Sequence, residues 1–428
     1  MSTTITSPMA VHSAFMRMNA DRRSGLELLP NELKLLVINH LGHTDVVVRL
    51  ALTGPTFFEL VVSNQEGIVR GLINTAIGPE LLPIAVAHHH VAAATAKLTR
   101  NEKGEPVTAT EGVVSHLDAL VRHCITPGGM VTNAASFEPT FKSAGQLLRT
   151  QAAVSLYANC LSERALTKEP RTTRHWSSRA PKKLSSPSVQ EIHRFSKALY
   201  ILQLVCHMFP IDTYRSWDSP VQGVFGHFWV QFAPRELQQV RCLQTFLVGH
   251  VEDVVNDDEN EHMYYIDTET LTKFVINRGL VDLYSFEARP STGDCRRTTW
   301  HTESDGLYLR NIDGIVSLDV TEILDTFHED GDTDPQDSWL HTLSQGFEEE
   351  EIPMLARGAY SCFHCEPVMT NWAFVFWGRD KLEWQAGGRL PTTAELQEVL
   401  ADQLVEQRQF SRGGWGRKTG IDHDDYIN

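Results

Sequence analysis

LELLPNELKLLVINHLGHTDVVVRLALTGPTFFELVV, residues 26–62, decides how the rest of the chain is read, because its apolar residues recur at helical spacing between proline and glycine breaks. Pro30 stands where a first-turn proline is tolerated. Leu33, Leu36, Val37, His40 and Leu41 then share a helical period until Gly42 ends the run. Thr44 is placed to cap a second helix whose Val46, Val47 and Leu50 lie on one face. Thr53-Gly54-Pro55 breaks that helix before Phe57, Leu60 and Val61 begin a third. Helices this short expose more apolar surface than they can bury on one another. A segment of about 40 residues rarely folds without help, so this one has to lean on a partner protein or on the rest of its own chain.

The order Leu29-Pro30-x-Glu32-Leu33, Val37-Ile38, Leu41, Asp45, Leu50-x-Leu52-Thr53 and Phe57 resembles an F-box. That is the segment by which substrate receptors join Skp-cullin-F-box ubiquitin ligases. The resemblance implies that Leu29, Pro30, Leu33, Val37 and Ile38 pack against a Skp-family adaptor, and through it reach a cullin. The other reading of residues 26–62 is the first helical hairpin of a larger α domain.

Composition narrows the function classes. A chain of 428 residues with 42% hydrophobic content has room for two or three domains with real cores. Its net charge of -16 argues against a general binder of nucleic acid or anionic membrane, whose affinity comes from Lys and Arg neutralising phosphates. No apolar run approaches the roughly 18 residues that cross a bilayer, and residues 1–24 lack the apolar core of a secretory signal. The expectation is a cytoplasmic or nuclear protein. Seven cysteines, scattered and odd in number, suit reduced thiols better than a disulfide framework.

After the opening module the periodicity stays helical. Ile68, Leu72, Ile73 and Ile77 give one face, stopped by Gly78-Pro79, and the Ala-rich run 81–98 gives another helix. Val113, Leu117, Leu120, Val121 and Cys124 repeat the spacing, as do Leu147, Leu148, Leu156 and Cys160. Thr126-Pro127-Gly128-Gly129 between them reads as a plain linker. Residues 168–189 mix Lys and Arg with Ser, Thr and Pro and almost no aliphatic side chains, a composition that cannot offset chain entropy by burial.

Beyond that basic linker, residues 189–209 read as an amphipathic helix with Ile192, Phe195, Leu199, Leu202, Val205 and Cys206 on one stripe. Residues 232–255 repeat the design, and 271–280 suggest a further helix with Gly279 near its end. This arrangement, with Asn371 to Trp377, resembles the C-terminal regions of many F-box proteins of filamentous fungi. The predicted organisation is a tail at 1–24, the F-box at 25–66, a helical spacer at 67–167, the basic linker at 168–189, a helical recognition region at 190–411 and a second tail at 412–428. The fold class is mainly α, without the period of leucine-rich, kelch or WD repeats.

Chemistry is sparse. Cys362 and Cys365 have the gap of half a zinc site, but no second pair follows at zinc-finger spacing; two thiols at a turn are the plainer reading. His88, His89 and His90 step around a helix by about 100° each and cannot converge on one ion. Asp330, Asp332 and Asp334 alternate as in a calcium loop, yet Pro335 stands where the turning glycine belongs. No nucleophile elbow, zinc-protease helix or phosphate loop occurs, so no catalytic residue, metal or cofactor is expected. Trp372, Phe374, Phe376 and Trp377 are the densest aromatic cluster. They are either core or a groove for a target protein, since Trp and Phe carry much interface energy. The sequence thus reads as a non-catalytic ligase receptor for an unidentified target protein, with no nucleic-acid or membrane partner. The alternative is a helical interaction scaffold unconnected to ubiquitin ligases.

Overall fold

The computed structural model describes residues 25, 26, 28–42, 44–96, 98, 110–167, 186–209, 221–233, 236, 237, 239, 240, 242–244, 246, 247, 250, 279–284 and 376. They are mostly helical, and no strand occurs among them. The opening stretch forms α1 (Asn31–His40), α2 (Thr44–Ala51) and α3 (Pro55–Ser63). Pro30 directly precedes α1. Pro55 opens α3 at its first position, where its missing N–H costs nothing. Gly42 takes a left-handed φ of 68° between α1 and α2, a conformation that side chains bearing a Cβ rarely adopt.

α4 (Gln65–Ile77) stops at Gly78, again left-handed, and joins the opening module to the body. Its Ile68 and Leu72 belong to a small core with Ile38, Val47, Ala51, Phe57, Leu60 and Val61. Its Val69, Ile73 and Ile77 belong to the main core. The segment expected to end at residue 66 therefore has a core that runs on into α4. Leu148 and Phe141 of α8 also pack against it.

The body contains α5 (Leu82–Thr95), α6 (Glu111–Leu120), α7 (Pro127–Ser136), α8 (Phe141–Thr167), α9 (Val189–Met208) and α10 (Val221–Trp229). α6 continues without a break into one π-helical turn, Val121–Ile125, and the Thr126 N–H donates to the Val121 carbonyl at 3.2 Å. Thr126-Pro127-Gly128-Gly129 is not the linker expected from its composition. Thr126 Oγ1 accepts from the Gly129 N–H at 3.1 Å and caps α7, with Pro127 at its first position. Thr44 Oγ1 lies 3.5 Å from where a Cβ on Gly145 would stand, which marks the close approach of α2 to α8.

α9 is the central helix, packed on α5 and α8. Its start is fixed by a full capping box: the Glu191 N–H donates to Ser188 Oγ at 3.2 Å, and the Ser188 N–H donates to the Glu191 carboxylate at 2.7 Å. The predicted apolar stripe is present, but Tyr200, Ile201 and Leu204 outside it are buried too. The helix is enclosed on nearly all sides and is not an amphipathic surface helix. Its residues share one continuous core with α4 to α8, with α10 and with Leu237, Val240, Leu243, Leu247, Leu280 and Leu283. Residues on both sides of 168–185, which lie outside the described residues, thus belong to one core. Residues 279–284 are helical and Gly279 has φ 75°; residues 271–278, where the sequence suggested a helix, lie outside the described residues.

Candidate docking face

Ten of the thirteen exposed large hydrophobic side chains among the described residues lie between Leu26 and Val62, so the apolar surface is concentrated on one small module. On α1 the cause is geometric. Ile38 (0% exposed) and Lys34 (3%) stand one turn apart and face inward, whereas Leu33, Leu36, Val37 and His40 form a second stripe more than 90° around the axis, facing outward. Leu33 is 46% exposed and Val37 36%. Val48 on α2 with Leu52 just past its end, and Phe58 with Val62 on α3, are i,i+4 pairs that are also exposed. The His40 ring N–H donates to the Leu36 carbonyl at 2.8 Å, so the polar edge of that ring is tied down within the stripe.

The residues expected at the adaptor contact separate accordingly. Pro30, Leu33 and Val37 are exposed and Leu29 is half-buried. Ile38 is not available; it fills the module's own core beside Val47 and Phe57. Leu36, absent from the expected set, completes the outward stripe. Its i+3 spacing from Leu33 was the signal that could have found it.

Of the expected target-binding aromatics, Phe376 is fully buried. Its ring stacks on Phe195 of α9 with centroids 3.8 Å apart and planes 17° from parallel. Arg194 donates to the Phe376 carbonyl at 3.1 Å. Phe376 is thus a core residue and does not line an open groove. Trp372, Phe374 and Trp377 lie outside the described residues, as do Cys362, Cys365, Asp330, Asp332 and Asp334.

Ionisable groups elsewhere serve packing. His88 of α5 is buried beside His207, 5.0 Å between ring centroids, and Tyr200, 6.1 Å. Burial, and next the neighbouring His207, hold its imidazole well below the ordinary histidine range. His89 is half-buried and His90 exposed, so the three do not share a site. Asp118 of α6 accepts from His227 Nδ1 of α10 at 2.9 Å and pairs with Arg122 at 2.8 Å. The His227 hydrogen bond, aided by Arg122, draws its carboxyl below the usual value. Burial pushes the Cys206 thiol up to about 12 and that of Cys242 higher, so neither is a poised nucleophile. Among the described residues no group of three His, Cys, Asp or Glu side chains is placed to hold a metal ion. No described helix is long and apolar enough to cross a membrane.

The chain matches no family model, no curated protein and no solved structure. The outward apolar stripes are therefore the feature from which a function has to be argued.

Proposed function

We propose that this chain is the substrate receptor of a Skp-cullin-F-box ubiquitin ligase, docking on a Skp-family adaptor through Leu33, Leu36 and Val37 with Leu29 and Pro30 beside them. The observation that carries this reading is the concentration in residues 26–62 of ten of the thirteen exposed large hydrophobic side chains among the described residues, while the body buries a continuous core. Apolar patches of this kind mark interaction sites. The Glu-Leu and Val-Ile pairs of the ordered pattern lie on the same helix as the outward stripe, and Leu29-Pro30 directly precedes it.

In this role the chain carries out no acid-base step. The helical body holds a target protein near the ubiquitin-loaded enzyme, and tethering replaces a bimolecular encounter by an intramolecular one. The residues that select the target are not those at Phe376, which the protein's own core occupies.

Co-expression of the full chain with a Skp-family adaptor and a cullin tests the reading. Recovery of all three in one complex at micromolar concentration is the expected result. A chain that stays folded and monomeric beside the adaptor overturns it and leaves the ligase-free helical scaffold as the account of the molecule.

A further inference from the structure

α1 has ten residues, fewer than the roughly 12–15 at which an isolated helix becomes even marginally stable in water, so its attachment to the module decides where its outward stripe points. Only two of its side chains are fully buried, and one of them is a lysine. Ile38 accounts for itself by apolar burial. Lys34 does not, since an aliphatic side chain would remove more apolar surface from water in the same place.

Its ammonium lies 6.0 Å from the centroid of the Phe57 ring on α3. Phe57 is itself buried, and no carboxylate among the described residues lies within ion-pair distance of Lys34. A cation over an aromatic face is directional in a way that aliphatic packing is not. With Ile38 one turn further along and Leu35 packed against the same core, it fixes the rotation of α1 about its own axis.

We infer that Lys34 is a positioning residue for the docking face: its contact with Phe57 locks α1 to α3 and thereby sets the direction in which Leu33, Leu36 and Val37 are presented. This inference rests on the proposed function for its consequence in binding, but the lock itself is a property of the chain alone. The two can therefore fail separately.

The test uses the full-length chain and its variants Lys34→Met, Lys34→Arg, Phe57→Leu and the Lys34→Met/Phe57→Leu double variant. Two quantities are read: affinity for a Skp-family adaptor, and hydrogen exchange of the α1 amides without adaptor. Lys34→Met removes the charge at nearly constant shape. It should weaken adaptor binding and speed α1 exchange by roughly 2- to 30-fold, with exchange in α5, α8 and α9 unchanged. Lys34→Arg should restore both, and the Lys34→Met effect should vanish in the Phe57→Leu background, because the lost contact needs both partners. If α1 exchange is the same with Met as with Lys, or the Met effect persists without the Phe57 ring, the lock is refuted whatever the adaptor does. If exchange responds as stated and no variant binds the adaptor, the lock stands as a structural contact, and both its role in docking and the proposed function are refuted.

Discussion

Acidification should loosen this protein through one identifiable side chain. His88 is buried against Tyr200 and His207, its Nε2 has no hydrogen-bond partner, and it stays neutral in the folded chain well below the ordinary histidine range. In the unfolded chain it titrates near 6.5. Because the folded value is depressed, the unfolded state binds the extra proton first. The stability contributed by keeping His88 neutral is therefore complete above about pH 6.5 and declines as pH falls below it, by about 1.4 kcal/mol per unit until the folded value is reached. Between pH 7.5 and 5.5 the loss through this one group is on the order of 1 kcal/mol. His89 is also shifted down, by burial and by His90, but it is half-exposed and is present in both proteins compared, so its effect cancels. Urea unfolding at pH 7.5 and 5.5, followed by circular dichroism, measures the difference. The wild-type chain should lose on the order of 1 kcal/mol more than His88→Phe, in which the aromatic volume is kept and the titration is gone. Equal losses in the two proteins would refute the assignment of His88 as a buried neutral group.

Phe376→Ala removes a ring stacked on Phe195 and should lower unfolding stability by about 3–5 kcal/mol; a change below about 1 kcal/mol would mean that Phe376 is not part of the core. Gly129→Ala should be destabilising by about 1–3 kcal/mol in thermal unfolding, because a Cβ there would stand 2.5 Å from the His123 carbonyl oxygen. The helix-propensity gain of about 0.5–1 kcal/mol that alanine normally brings should not appear, and a stabilised variant would contradict the close approach.

Much of the helical framework was legible because it depends on local periodicity. α1, α3 and α9 begin, and α4 ends, at the prolines, glycines and capping residues that mark them in the sequence. What periodicity misled about was set by tertiary surroundings. Gly128-Gly129 suggested a linker by composition, yet Thr126 and Pro127 ahead of them are a cap and a first-turn proline, the stronger signal for a helix start. The spacing shows the stripe on α9, but the nearly continuous run from Ala198 to Cys206 carries apolar residues on the opposite side as well, and that side is covered too. Ile38 and Val37 are neighbours in the same pattern. Only the packing of α3 and α4 against α1 decides which one turns inward. Phe376 could not have been placed from sequence, because its partner Phe195 is 181 residues away and no spacing rule links them.

The most direct test of the docking account is calorimetric titration of a Skp-family adaptor into the full-length chain and into two variants that place a charge on exposed apolar positions. Leu33→Asp alters the outward stripe of α1, and Val131→Asp alters α7, where the side chain is 60% exposed but lies outside that stripe. The account predicts micromolar or tighter binding by the wild-type chain and by Val131→Asp, and a loss beyond about 30-fold with Leu33→Asp at unchanged helicity. Equal affinity in all three proteins, or no binding by the wild-type chain, would contradict it.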